Sequence, residues 1–129
     1  MAVSDRPNDR PDDRPTGGPS EARALLDELH AATARRVQEL VATFDDIVEA
    51  ASDVATDDEH DPEGHTIAWE RQQVAALLRD ARAELAEVEA ARRRLDDGSY
   101  GRCVACGDQI AAARLHALPA TTTCIRCAT

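Results

Sequence analysis

Apolar residues recur along most of this chain at alternating intervals of three and four. From Leu26 one register runs Leu26, Thr33, Leu40, Ile47, Val54, and the interleaved one runs His30, Val37, Phe44, Ala51. Such spacing places one apolar seam along a helix. Thr33 and His30 are the two polar positions in it and are expected to weaken its N-terminal end. A second seam runs Ile67, Val74, Ala81, Val88, Leu95 with Arg71, Leu78, Leu85, Arg92 between. Two long heptad helices joined by a short polar segment read as an antiparallel helical hairpin, an all-α coiled-coil fold. At about 1.5 Å per residue each arm is roughly 50 Å long, so the hairpin is a rod.

Local signals mark the ends. Ser20 follows Pro19 and is expected to cap the first helix. Asp61 followed by Pro62 fits an N-cap with proline in the first turn of the second helix. Gly98, after Leu95-Asp96-Asp97, is placed to stop that helix in a left-handed conformation. Arg92, Arg93 and Arg94 fall in its last turn, where cations complement the helix dipole. These signals divide the chain into a tail (1–19), a coiled-coil hairpin (20–97) and a C-terminal unit (98–129). The tail repeats Asp-Arg-Pro three times, and nothing apolar is there to bury, so it is expected to be disordered.

The C-terminal unit carries the chemistry. Cys103 and Cys106, then Cys124 and Cys127, are the only cysteines of the chain, and 17 residues separate the two C-x-x-C pairs. Each pair can aim two sulfurs at one metal from a tight knuckle, and the intervening stretch brings the second knuckle back to complete a tetrahedron. One structural Zn2+ is expected. Four protein ligands close its shell and leave no position for water or substrate. Disulfides and a redox C-x-x-C are the competing readings, and no secretory context favours disulfides.

The connector between the helices is the second concentration of charge. Asp57, Asp58, Glu59, Asp61 and Glu63 put five carboxylates into seven residues, with His60 among them and His65 just beyond. Acids near a helix N-terminus are favourable, but that accounts for two of them rather than five. The spacing matches no metal motif. The remaining reading is a negative tip that the rod delivers into something narrow, basic or metal-bearing.

Composition narrows the classes. The 129 residues contain one Phe, one Trp and one Tyr, which excludes a large aromatic core, and all 15 basic residues are arginine. A net charge of −10 argues against autonomous, sequence-specific DNA binding, which needs a basic footprint, and for a protein partner. No apolar leader or membrane-length segment is visible, so the protein is read as cytoplasmic and away from membranes. No nucleophile–base pattern, phosphate loop or open metal site is present, so an enzyme is not expected.

Gly98-Ser99-Tyr100-Gly101-Arg102-Cys103-Val104-Ala105-Cys106-Gly107, followed by Ile110, Arg114-Leu115, Ala117, Pro119 and Cys124-Ile125-Arg126-Cys127, resembles the zinc finger of the DksA/TraR family. With the preceding hairpin the resemblance covers about residues 20–129. It implies a regulator that binds bacterial RNA polymerase directly and inserts its coiled-coil tip through the secondary channel to modulate initiation. The family's tip has aspartates spaced D-x-x-D, then any residue and alanine. Asp58 and Asp61 fit the spacing, with Glu63 in place of the alanine, whereas a gap-free count back from Cys103 falls on His60 and Glu63. Asp57, Asp58, Asp61 and Glu63 are the candidate tip residues. Two residues follow Cys127, so the C-terminal helix of longer members is not expected. A monomer is anticipated. A zinc-stapled adaptor for another protein, or a thiol sensor that loses zinc on oxidation, are the alternatives.

Overall fold

The computed structural model describes residues 18–54 and 62–128. The candidate tip residues Asp57, Asp58 and Asp61 lie outside the described residues, as does the Asp-Arg-Pro tail up to residue 17. Glu63 is described in its backbone alone. Two helices of equal length, α1 (Pro19–Val54) and α2 (Pro62–Asp97), pack as an antiparallel hairpin, and a short helix α3 (Ala112–Ala117) lies inside the C-terminal unit. With 36 residues apiece, α1 and α2 are each roughly 54 Å long. Among the described residues there is no strand, only one isolated bridge between Arg102 and Gln109. None of the helices is long and apolar enough to cross a membrane.

The helix ends follow the backbone's hydrogen-bond needs. α1 starts at Pro19, one residue before the expected boundary, and the Gly18 carbonyl accepts from the N–H groups of Glu21 and Ala22 (2.9 and 3.1 Å). Ser20 is therefore inside the first turn and is not the cap. Proline tolerates the first helical position because its missing N–H would have no partner there. At the other end Gly98 has φ +83°, and Ser99 N–H returns to the Arg94 carbonyl at 3.0 Å. That bond spans the left-handed residue and satisfies a carbonyl the helix leaves open.

The seam forms along the expected positions, but burial is graded. Leu26, Val88 and Ala91 are fully buried at the base of the hairpin, with Leu29, Leu95, Tyr100 and Ala120 packed against them. Farther along, Thr33, Leu78 and Ala81 are still buried. Beyond them Val37, Leu40, Phe44 and Ile47 of α1, and Ile67 and Val74 of α2, are only half-buried. Two helices can cover only one stripe of each other. At the base a third layer, the C-terminal unit, closes the seam from outside.

The polar seam positions behave differently from expectation. Thr33 is 4% exposed and packs as core, while His30 Nε2 meets Glu89 Oε1 at 3.3 Å. Arg71 is exposed. Only Arg94 remains in the last turn of α2, and it donates to the Ala120 carbonyl at 3.4 Å. Arg92 instead bridges to Asp27 of α1 at 3.0 Å. Arg23–Asp96 (2.6 Å), Asp27–Arg92 and His30–Glu89 form a ladder of three cross-helix contacts. Each step descends one helix as it climbs the other. Partly exposed pairs of this kind contribute about 0–1 kcal/mol each, so they specify register more than they stabilise.

The burial gradient predicts a graded response to truncation. Leu26→Ala should cost about 2–5 kcal/mol in zinc-saturated denaturant titrations. Val48→Ala, at a 41% exposed position, should stay within about 0.5 kcal/mol.

Candidate metal centre

Residues 98–128 contain little regular structure, and the four sulfurs organise them. The first knuckle begins as Gly101 turns the chain with φ +84°, where a Cβ would touch Leu115 Cδ1 at 3.4 Å. Cys103 N–H then donates to the Asp108 carbonyl (2.8 Å) and Gly107 N–H to the Cys103 carbonyl (2.9 Å), which folds Cys103 and Cys106 onto the same side. Gly107 completes the turn with φ +78°. The second knuckle repeats the device, with the Cys124 carbonyl accepting from Cys127 and Ala128 (3.1 and 2.9 Å). Val104 N–H donates to the Thr122 carbonyl at 2.9 Å and ties one knuckle to the approach of the other.

The sulfurs of Cys103, Cys106, Cys124 and Cys127 all lie within 4.8 Å of one another. Cys106 Sγ and Cys124 Sγ are 3.8 Å apart. A tetrahedron with metal–sulfur distances of about 2.3 Å has edges of about 3.8 Å, so the spacing suits zinc. It is nearly twice a disulfide length, and all four thiols are free. Cys103 and Cys124 are buried in one cluster with Ile110, and Leu115 packs against it, while Cys106 is exposed and Cys127 half-buried.

The electrostatics call for a cation. Backbone N–H groups of Cys124 and Cys106 aimed at the Cys103 sulfur hold its pKa down to about 6. At the opposite extreme, contacts with the sulfurs of Cys124, Cys103 and Cys106 push Cys127 up to about 12. The first thiolate is welcome and the last is resisted, because each added negative charge meets those already present. A divalent ion removes that opposition. The four cysteines are thus positioned to bind one metal ion with a closed shell, which fits a structural zinc.

The finger is bound to the rod through residues whose role the sequence left open. Tyr100 Oη donates to the Pro119 carbonyl at 2.8 Å, with its ring in the base core, and burial raises the pKa of its phenol. Arg114 Nε donates to the Thr123 carbonyl at 2.9 Å, holding the approach to the second knuckle. Tyr100, Gly101, Ile110, Arg114, Leu115 and Pro119 therefore hold the finger's shape. The contact between Arg126 and Asp108 (2.9 Å) escaped the sequence reading, because 18 positions separate the two and no periodicity relates them.

Residues 98–129 match the model of the prokaryotic dksA/traR C4-type zinc finger. The finger belongs to the DksA/TraR family. Over 86% of its length the chain is similar in structure to 86% of the transcription factor DksA2 from Pseudomonas aeruginosa, with a TM-score of 0.54 and 25% identity. A protein of Aquifex aeolicus (strain VF5), described as uncharacterized, is 41% identical over 46 residues, 36% of this chain and 32% of its own length. The chain thus spans about a third of that relative. The expected all-α hairpin with a four-cysteine finger and one zinc agrees with these matches.

Purified protein should carry one zinc per chain. Protons compete with the metal for thiolates, so zinc should be held at neutral pH and released as the pH falls. A metallochromic indicator followed through an acid titration checks the direction. Tyr100→Phe should cost about 0.5–1.5 kcal/mol in denaturant titrations, the usual worth of one hydrogen bond.

Proposed function

We infer that this chain is a non-enzymatic transcription regulator that binds bacterial RNA polymerase. In this reading the DksA/TraR finger anchors the base, and the rod carries its acidic connector into the secondary channel to modulate initiation. The observation that carries it is the division of the molecule into two ends. The metal centre and the three-layered core sit at the base. Asp57, Asp58, Glu59 and Asp61 fall between the two 36-residue helices in sequence, and Glu63 falls in the first turn of α2, at the end away from the metal centre. The structural likeness to DksA2, a transcription factor, extends over the hairpin as well as the finger.

A rod of roughly 54 Å can reach a site well below a protein surface. Carboxylates brought near a metal-dependent nucleotidyl-transfer centre would alter its local charge and compete for its cations. Asp58 and Asp61, with Asp57 and Glu63 beside them, are the residues assigned to that act. The finger supplies no chemistry of its own, since its four-sulfur shell is closed. The net charge of −10 fits a protein partner with basic walls better than DNA.

The chain should co-purify with core polymerase and change the output of sensitive promoters in reconstituted transcription. Asp58→Asn combined with Asp61→Asn should abolish the effect on transcription while leaving helicity and zinc content unchanged. Wild-type promoter output from that double variant would remove the tip from the mechanism. Failure to recover polymerase subunits would leave the adaptor reading in its place.

A further inference from the structure

The pair formed by Arg126 and Asp108 sits where the two zinc knuckles face each other. Arg126 lies inside the second knuckle, between Cys124 and Cys127. Asp108 follows directly on the first, after Cys106 and Gly107. Its carboxylate accepts from the Arg126 guanidinium at 2.9 Å, and its main-chain carbonyl accepts the Cys103 N–H at 2.8 Å. The same guanidinium lies near enough to the Cys124 sulfur to interact with its charge, and the Asp108 backbone N–H faces the Cys106 sulfur. One arginine of the second knuckle and one aspartate bonded to the first thus join the two knuckles beside their sulfurs.

We propose that Arg126 and Asp108 form an outer-sphere clasp that retains the zinc of this finger and makes its release dependent on ionic strength. Four thiolates around a divalent ion carry a net charge of −2. A guanidinium held beside one of them offsets part of that charge and draws electron density from the sulfur. Groups that hydrogen-bond metal ligands commonly change metal affinity by about 10–100-fold. Here both side chains are well exposed, at 74% and 65%, so the effect belongs at or below the lower end of that range. Exposure also makes the contact open to screening by salt, which acts over about 10 Å at 0.1 M. The clasp therefore holds zinc firmly at low salt and loosens as salt rises. Since the finger closes the base of the rod, a clasp that governs metal exchange also governs how readily the base can open.

This inference rests on the four-thiolate reading and not on the polymerase. It is tested on the full-length zinc-loaded protein by timing zinc transfer to an excess of a chromogenic chelator at low and high salt. Arg126→Gln should release zinc about three- to tenfold faster at low salt. It should also lose most of the salt dependence seen in the wild type. Asp108→Asn should fall between the two, because the guanidinium still reaches Cys124. After cobalt substitution, Arg126→Gln should shift the sulfur-to-cobalt charge-transfer band to longer wavelength, because the Cys124 sulfur becomes the better donor. A merely structural role would not produce that shift. Release at the wild-type rate, with wild-type salt dependence and an unmoved band, would overturn the clasp alone. A wild-type chain that holds no zinc would overturn the four-thiolate reading and the clasp with it.

Discussion

Four ionised sulfurs held within 4.8 Å of one another repel unless a cation lies between them, and the base of this molecule is organised around that constraint. The opposed shifts of Cys103 and Cys127 are the local expression of it. A segment this short, with one short helix, could not hold a fold by apolar burial alone. Ile110 and Leu115 give the finger a small core, and the sulfurs supply the rest. Once the knuckles are fixed, Tyr100 and Ala120 are carried onto Leu26, Val88 and Ala91. The metal centre is thereby coupled to the packing of the rod, although the two apolar clusters share no residue.

Away from the base the rod has a different character. Its seam is short of aromatic residues, and Val37, Leu40, Ile47, Ile67 and Val74 line it half-buried. Two helices bury such a seam fully only where something covers it from outside, as Tyr100 and Ala120 do at the base. The result is a base with fully buried residues and an outer half that is half-exposed. The ladder Arg23–Asp96, Asp27–Arg92, His30–Glu89 adds little energy. It opposes a slip of one helix along the other, which would displace the connector.

The finger and hairpin assign different jobs to charge. At the base, cations and hydrogen-bond donors surround thiolates and hold them together. Between the helices and in the first turn of α2 the sequence places five carboxylates within seven residues, with His60 among them and His65 beyond.

Much of this was legible in the amino-acid sequence because the signals are local or periodic. The heptad spacing from Leu26 to Leu95 determined two helices and the face each buries. Gly98 determined where the second helix stops, because only glycine takes a left-handed turn at little cost. The two C-x-x-C pairs determined the ligands, because knuckle geometry needs only two intervening residues. Other features depended on which distant residues the fold brings together. Ser20 looked like a cap, yet Pro19 took the first helical position and moved the start back. Arg92 looked like a dipole partner in its own helix, but antiparallel packing placed Asp27 opposite it. Thr33 looked like a flaw in the seam, and the core absorbed it. Tyr100 reaching Pro119 and Arg126 reaching Asp108 follow from the path the chain takes around the sulfurs. Periodicity and spacing fix what is set within a turn or two of backbone. Contacts across the chain are set only when the packed elements meet.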